Sequence, residues 1–148
     1  MQKRYALVLT AAMAAALGGW SQPVATPPPA VPADAPAVTA AEAVVAAQLE
    51  AYNRRDLDGF LAFYSDDAVL VDYPDKVTQT GKEAMRARYA KRFSNPNIRA
   101  TVVKRLAYGD FVVDHEQVTA PPQPGMIEAV ALYEVRNGKI VRVTFLGK

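Results

Sequence analysis

Apolar residues recur at helical spacing in two stretches near the middle of the chain. One helical face holds Val45, Gln48, Leu49 and Tyr52. After a polar break at residues 54–56, a second set repeats at i, i+3, i+4 and i+7, and consists of Leu57, Phe60, Leu61 and Tyr64. The pattern predicts two short amphipathic helices.

Two segments fit the capping box, in which a threonine hydroxyl and a glutamate three residues later satisfy free amides at a helix start. They are residues 39–42 (Thr-Ala-Ala-Glu) and 80–83 (Thr-Gly-Lys-Glu). The second box precedes Met85, Tyr89 and Phe93 at i+4 spacing, and the Asn-Pro pair at 95–96 stops the pattern. This predicts a third helix.

Strand-like runs fill the rest of the chain. They cover residues 68–73, 98–108, 111–119, 126–136 and 139–146. Asn137-Gly138 is typical of a tight hairpin turn, and residues 121–125 form a longer loop before the preceding strand. The order of elements predicts an α+β fold, with about three N-terminal helices packed on one face of a curved antiparallel sheet, and a cone with an internal pocket.

Alternation along two of these strands suggests which residues line the pocket. On residues 111–119 the inward set is expected to be Phe111, Val113, His115, Gln117 and Thr119. The next strand would offer Ile127, Ala129, Ala131, Tyr133 and Val135 to the same cavity. Its opposite face would carry Glu128, Val130, Leu132 and Glu134. The predicted lining is apolar with a few polar groups, as in small-molecule sites.

The first 38 residues differ in composition from the rest. Lys3 and Arg4 precede a weakly apolar run, which predicts a signal peptide over residues 1–21, or to residue 25, with an uncleaved anchor as the alternative. Residues 22–38 hold six of the eleven prolines and read as an extended linker. The domain would span residues 39–148 and be periplasmic or secreted, with no stable membrane span after processing.

Composition excludes several kinds of chemistry. The chain of 148 residues has no cysteine and one histidine, which removes thiolate catalysis, disulfides and a multi-histidine metal site. Alternate strand positions point apart, so the acidic clusters at 66–67 and 114–116 are not expected to bind a metal. The net charge of +2 does not favour nucleic acid. We expect no cofactor, no metal and no nucleic-acid partner.

One segment has a strong local charge bias. Residues 82–105 carry eight basic side chains against one acidic side chain, Glu83. The run fits either a surface for anionic ligands or membrane headgroups, or a solvated helix face balanced by acids elsewhere.

Three segments together resemble a known family. Residues 52–72 read Tyr-Asn-Arg-Arg-Asp-Leu-Asp-Gly-Phe-Leu-Ala-Phe-Tyr-Ser-Asp-Asp-Ala-Val-Leu-Val-Asp, and residues 81–89 and 129–143 add to the likeness. Residues 40–148 resemble the SnoaL-like branch of the nuclear transport factor 2-like superfamily, which includes ketosteroid (steroid delta-) isomerase and polyketide cyclases. The fold hosts unrelated activities, so the resemblance implies the fold more firmly than the reaction.

The resemblance implies particular site residues. The general-base aspartate of the isomerase falls on Asp72, and a pocket tyrosine falls on Tyr89. The oxyanion-hole tyrosine falls on Gln48 and the protonated aspartate on Ala131, so both strong oxyanion donors of the isomerase are missing.

The sequence supports two functional hypotheses. In the first, an exported domain binds a small hydrophobic molecule, with Asp72 and His115 as a catalytic acid–base pair of isomerase, dehydratase or cyclase type. Ligand contacts would come from Tyr89, Tyr133, Gln48 and Ala131. In the second, the domain is a non-catalytic ligand-binding or dimerisation module, in which the outer face of the sheet pairs two copies.

Overall fold

The computed structural model describes residues 38–119 and 126–147. The predicted signal peptide, most of the linker and the loop at 121–125 lie outside these residues. Within them the elements are α1 (Ala40–Arg54), α2 (Leu57–Ala62), β1 (Tyr64–Asp72), β2 (Lys76–Thr80), α3 (Lys82–Phe93), β3 (Arg99–Tyr108), β4 (Phe111–Thr119), β5 (Met126–Arg136) and β6 (Lys139–Leu146).

The described strands form one six-stranded sheet in the order β2-β1-β6-β5-β4-β3. Neighbouring strands are antiparallel except β1 and β6, which run parallel. The fold is therefore α+β with a mixed sheet, and the expectation of a purely antiparallel sheet was wrong. The parallel pair arises from the order of the strands along the chain. After β1 the chain forms the neighbouring edge strand β2 and helix α3, and it returns to the other side of β1 only in its last strand, β6.

Local sequence explains how the first two helices begin and end. Thr39 caps α1, because its Oγ1 accepts a hydrogen bond from the Glu42 amide at 3.0 Å. Arg55 adopts the left-handed conformation, with φ of 57°, and ends α1. Asp56 then caps α2 through a 2.9 Å bond from the Gly59 amide. The break at residues 54–56 is thus a C-cap followed directly by an N-cap.

The second predicted capping box does not form. The N-cap of α3 is Gly81, at φ of 80°, and no side chain caps this helix. Thr80 belongs to β2, where it pairs with Val69 of β1. Strand pairing takes the threonine away from the helix end, and the positive φ at the next residue suits glycine.

Two strands differ from their predicted extents. β1 begins at Tyr64, which helical spacing had placed on the second helix. β2 was not predicted, because its five residues are exposed or half-buried and lack a hydrophobic signal. The tight turn at Asn137-Gly138 is confirmed, with both residues at positive φ.

The helices cover the sheet and enclose the core. α1 contacts β3, β4, β5 and β6, and α3 contacts β1, β2 and α2. The Asn53 side chain fastens α1 to β3 with two bonds to Ala100, of 2.9 Å to its carbonyl and 2.8 Å from its amide. We call the helix-covered side of the sheet the inner face and the other side the outer face. None of the described helices is long and apolar enough to cross a membrane.

Candidate functional site

A cavity of about 650 Å³ lies between the helices and the inner face. Its volume is in the range of sites for small organic molecules. The lining residues are Gln48, Leu49, Tyr52, Tyr64, Arg88, Tyr89, Arg92, Ala100, Glu116, Val118, Ile127, Glu128, Ala129, Tyr133, Val143, Phe145 and Gly147. Most of this surface is apolar or aromatic, and a few polar groups are set into it.

Glu116 is the buried carboxyl group of the cavity. It lies on β4, is 7% exposed, and its Oε1 accepts a 2.9 Å hydrogen bond from the Tyr133 hydroxyl of β5. Burial raises the pKa of Glu116, and the negative charge of Asp114 adds to the rise. The Tyr133 hydrogen bond and the charges of Arg105 and Arg92 act in the opposite direction. The result is a carboxyl group that holds its proton to a higher pH than an exposed glutamate does.

Aromatic side chains form the wall of the cavity nearest the helices. Tyr89 of α3 packs against Phe60 with ring centroids 4.4 Å apart and ring planes tilted by 45°, and meets Tyr52 edge-on at 6.4 Å. Burial raises the pKa of Tyr89 to about 12, so its hydroxyl keeps its proton at neutral pH. Since the structure records no hydrogen bond for this hydroxyl within the described residues, Tyr89 is a donor available to a ligand.

Two arginines from α3 border the same cavity. Arg92 donates a 2.7 Å hydrogen bond from Nε to the Tyr52 hydroxyl, and its guanidinium lies 5.8 Å from the centroid of that ring. Arg88 lies one turn earlier on the helix. Both side chains belong to half-buried residues, and neither forms an ion pair within the part of the chain that the structure describes.

Gln48 of α1 adds an unpartnered polar atom. The residue is 4% exposed, and its Oε1 has no hydrogen-bond partner among the described residues. A buried amide oxygen without a partner costs free energy unless water or a ligand satisfies it.

The sequence profile of the SnoaL-like domain matches residues 45–143, which contain both the sheet and most of the cavity wall. The chain belongs to the SnoaL-like domain family. The family assignment and the fold together place it in the nuclear transport factor 2-like superfamily.

Solved structures share the fold of this SnoaL-like domain. An uncharacterized cystatin-fold protein from Novosphingobium aromaticivorans is 28% identical, with a TM-score of 0.65 over 74% of this chain and 98% of that one. A proposed ketosteroid isomerase from Kribbella flavida is 20% identical, with a TM-score of 0.63 over 72% and 76% of the two chains. A proposed polyketide cyclase from Sinorhizobium meliloti is 16% identical, with a TM-score of 0.61 over 70% and 93%. No functionally curated protein matches the sequence significantly.

The inward face predicted for residues 111–119 was wrong. Along β4 the buried residues are Val112, Asp114, Glu116 and Val118. His115 therefore points to the outer face, where its Nε2 lies 3.7 Å from Glu128 Oε2. Period-two alternation separates two sets of residues but does not say which set is buried. The two charged residues are buried here because each has a partner, Arg105 for Asp114 and Tyr133 for Glu116.

The structure does not bring Asp72 and His115 together. Asp72 ends β1 and pairs in register with Phe145, while His115 pairs with Val130 of β5. Between β1 and β4 lie β6 and β5, so the two residues are separated by roughly 14 Å, three strand spacings. Neither residue lines the cavity.

The other predicted ligand contacts are mostly placed at the cavity. Gln48, Tyr89 and Tyr133 line it, from α1, α3 and β5. Ala131 is fully buried in the core beside Asp114 and is not part of the lining. The prediction for β5 had the correct buried face, because Ala131, Tyr133 and Val135 are buried. Glu128, which was predicted on the outer face, nevertheless borders the cavity.

Sequence reasoning missed Glu116 and the two arginines as cavity residues. The register between β4 and β5 indicates that Glu116 faces the cavity, because paired residues share a face and Glu116 pairs with Ala129. Placing Ala129 inward therefore requires Glu116 inward. The register could not be read from the sequence across the loop between these strands. Among the described residues no cluster of three or more acidic or histidine side chains could hold a metal ion.

Proposed function

We propose that this SnoaL-like domain binds a small, largely apolar molecule in the cavity and transfers a proton to or from it through Glu116. The observation that carries the proposal is a buried carboxyl group, hydrogen-bonded to Tyr133, in the wall of a largely apolar cavity. Groups of this kind are typical of general acids and bases, whose pKa values are shifted by burial.

The arrangement suits reactions that proceed through an enol. Ionised Glu116 would remove a proton from a carbon next to a carbonyl group, and the raised pKa makes it a stronger base than an exposed glutamate. The carbonyl oxygen, which becomes negatively charged, would accept a hydrogen bond from Tyr89 or from the Gln48 amide. Return of the proton from Glu116 to another carbon would complete an isomerisation. Dehydration and aldol-type cyclisation need the same groups.

In this proposal Glu116, and not the expected pair of Asp72 and His115, is the acid and base that transfers the proton. Neither of those residues is among the cavity-lining residues, whereas Glu116, Tyr89 and Gln48 all line the cavity. The names of the similar solved proteins, an isomerase and a cyclase, agree with enol chemistry but concern those proteins.

Proton exchange on a bicyclic ketone tests the proposal. We expect the protein to accelerate exchange of the C1 protons of 2-tetralone in D2O, followed by NMR, and Glu116→Gln to lower the acceleration by at least about 100-fold. His115→Gln and Asp72→Asn are the controls and should keep it. Exchange no faster than in buffer would refute proton transfer. Loss of exchange in the two controls but not in Glu116→Gln would restore the original pair.

A second candidate function is self-association through the outer face. Three apolar side chains are exposed there on β3 and β4: Leu106 by 67%, Tyr108 by 83% and Phe111 by 44%. They share a face because Tyr108 pairs with Phe111 and Leu106 pairs with Val113. Patches of this kind often mark protein interfaces, and this one adjoins Val130, Leu132 and Glu134 of β5, the residues expected to be buried in a dimer.

Light scattering after size exclusion tests self-association. The proposal expects a homodimer that Leu106→Glu converts to a monomer, while Ala84→Glu, at an exposed position of helix α3 on the other side of the sheet, leaves the dimer intact. A monomer at high concentration would contradict it.

Export to the periplasm or the medium is a further part of the proposed function. The charged and apolar leader at residues 1–21 and the proline-rich linker at 22–38 support it. The intact mass of the protein recovered from a bacterial periplasm should match cleavage after Ser21 or Ala25, and a full-length mass would argue for an anchor.

A further inference from the structure

We infer that the ligand of this cavity carries an oxyanion group, a carboxylate or its equivalent, which is bound by Arg88 and Arg92. The inference rests on the proposed function and names the chemical class of the molecule. It begins with the position of the two arginines. They lie four residues apart on α3, so their side chains emerge on the same side of the helix, and both line the cavity.

No ion pair within the described residues neutralises the charge of these arginines. Some basic residues of the described chain do have such partners: Lys82 pairs with Asp66, Arg86 with Asp58, and Arg105 with Asp114. Arg88 and Arg92 have no ion pair within the described residues. Half-buried guanidinium groups at a cavity are well suited to bind an anion, because they offer several N–H donors in a planar arrangement.

The hydrogen bond of Arg92 fixes its direction. Its Nε is occupied by the Tyr52 hydroxyl at 2.7 Å, and the guanidinium lies over the Tyr52 ring. The terminal nitrogens are recorded in no hydrogen bond within the described part of the chain. A guanidinium held through Nε loses less conformational entropy when its terminal nitrogens bind a ligand.

The rest of the cavity defines the remainder of the ligand. Two acidic residues also line it, but Glu128 has a side chain that is 66% exposed and lies near His115, and Glu116 holds its proton more readily than an exposed glutamate. Much of the rest of the lining is aromatic and aliphatic, and includes Tyr64, Tyr89 and Val118. The matching ligand is an apolar body with an anionic group at one end and a reactive polar group near Glu116.

A matched pair of fluorescent probes tests the inference. N-phenyl-1-naphthylamine is neutral, and 8-anilinonaphthalene-1-sulfonate has the same ring system with an added anionic group. We expect the full-length protein to bind the sulfonate at least about 10-fold more tightly than the neutral probe. Arg88→Gln and Arg92→Gln should each remove about 10-fold of the sulfonate affinity, because a charge-assisted hydrogen bond is lost, and should change binding of the neutral probe by less than about two-fold.

Lys91→Gln is the matched control. Lys91 lies on the same helix between the two arginines, carries the same charge, and is exposed away from the cavity lining. This variant should bind both probes like the wild type. 2-Naphthoate should displace the sulfonate at concentrations about 10-fold lower than 2-naphthylmethanol does, which separates recognition of a carboxylate from general hydrophobic binding.

The alternative outcomes separate the two proposals. Equal affinity for both probes, or equal losses in Arg88→Gln and Lys91→Gln, would overturn the oxyanion inference while leaving a ligand-binding cavity. Failure of both probes to bind the wild type while proton exchange on 2-tetralone persists would overturn the oxyanion inference alone. Failure of probe binding and of exchange together would overturn both proposals.

Discussion

Asp114 and Glu116 are two buried carboxyl groups on the same face of the same strand, and they differ in their partners. Asp114 is fully buried and forms a two-bond ion pair with Arg105, at 2.7 and 2.6 Å. Glu116 is 7% exposed, receives one hydrogen bond from a neutral tyrosine, and borders a cavity.

The difference shows how one strand can carry a structural acid and a reactive one. A guanidinium partner compensates the charge of a carboxylate and occupies its oxygens, so the carboxylate has few free hydrogen-bonding positions for a ligand. A buried carboxyl group with a neutral partner has a raised pKa, and Glu116 also borders the cavity, where a ligand can reach it. Asp114 also contributes to that raised pKa, so the structural acid helps to set the properties of its neighbour.

Removing the guanidinium should have the largest effect on stability. Arg105→Met leaves the Asp114 carboxylate buried without a counter-charge, and we expect the free energy of unfolding at neutral pH to fall by about 3–5 kcal/mol. Urea denaturation followed by circular dichroism measures this. Arg86→Met, which breaks the exposed pair with Asp58, is the control and should cost less than about 1 kcal/mol. Equal losses in the two variants would show that Asp114 is not held by its ion pair.

Removing the tyrosine hydroxyl should have an intermediate effect. Tyr133→Phe deletes the hydrogen bond that Glu116 accepts within the described residues and should cost about 1–2 kcal/mol at neutral pH. Because this bond lowers the pKa of Glu116, its loss should raise that pKa further, which an NMR titration of the side-chain carboxyl can measure. Tyr108→Phe, at a position 83% exposed, should change neither quantity. An unchanged Glu116 titration in Tyr133→Phe would contradict the assigned partner.

Neutralising the reactive acid should have the smallest effect on stability, with a sign that depends on pH. The raised pKa means that folded Glu116 keeps its proton to a higher pH than the unfolded chain does, so its contribution to stability falls as pH rises from the usual glutamate value through the raised one. Glu116→Gln has no such titration. It should therefore gain stability relative to the wild type over this interval.

Thermal denaturation of both proteins across the acidic to neutral range measures the effect. Glu128→Gln, whose side chain is 66% exposed, is the control and should follow the wild type. A wild type that gains stability relative to Glu116→Gln as pH rises would mean that the carboxylate is stabilised rather than desolvated.

Much of the fold could be predicted because it depends on interactions between residues that are close in sequence. The Thr39 cap, the bounds of β4 and β5 and the Asn137-Gly138 turn follow from side-chain bonding, alternation and backbone preference within a few residues. Tyr64 was misplaced because its spacing from Phe60 also fits a helix. The short strand β2 was missed because it buries little apolar surface.

The candidate site could be predicted only in part. Gln48, Tyr89 and Tyr133 line the cavity as predicted. Gln48 and Tyr89 were predicted from the family resemblance, and Tyr133 from the alternation along its strand. Glu116 was missed because a charged residue is expected outside, and its burial depends on Tyr133 from another strand. The sequence identified Arg88 and Arg92 only as part of a basic segment. The sequence of a helix does not show which of its charged side chains will line a cavity.

The sequence by itself determined the family, the order of most elements and the two alternating sets of residues along each strand. These properties depend on contacts within short segments or on similarity along the chain. Only the tertiary structure decided which set on β4 faces the helices, that β1 runs parallel to β6, and that Glu116 rather than His115 reaches the cavity. The physical reason is that alternation is symmetric between the two faces of a strand, and the pairing of distant strands and the partners of buried charges break that symmetry.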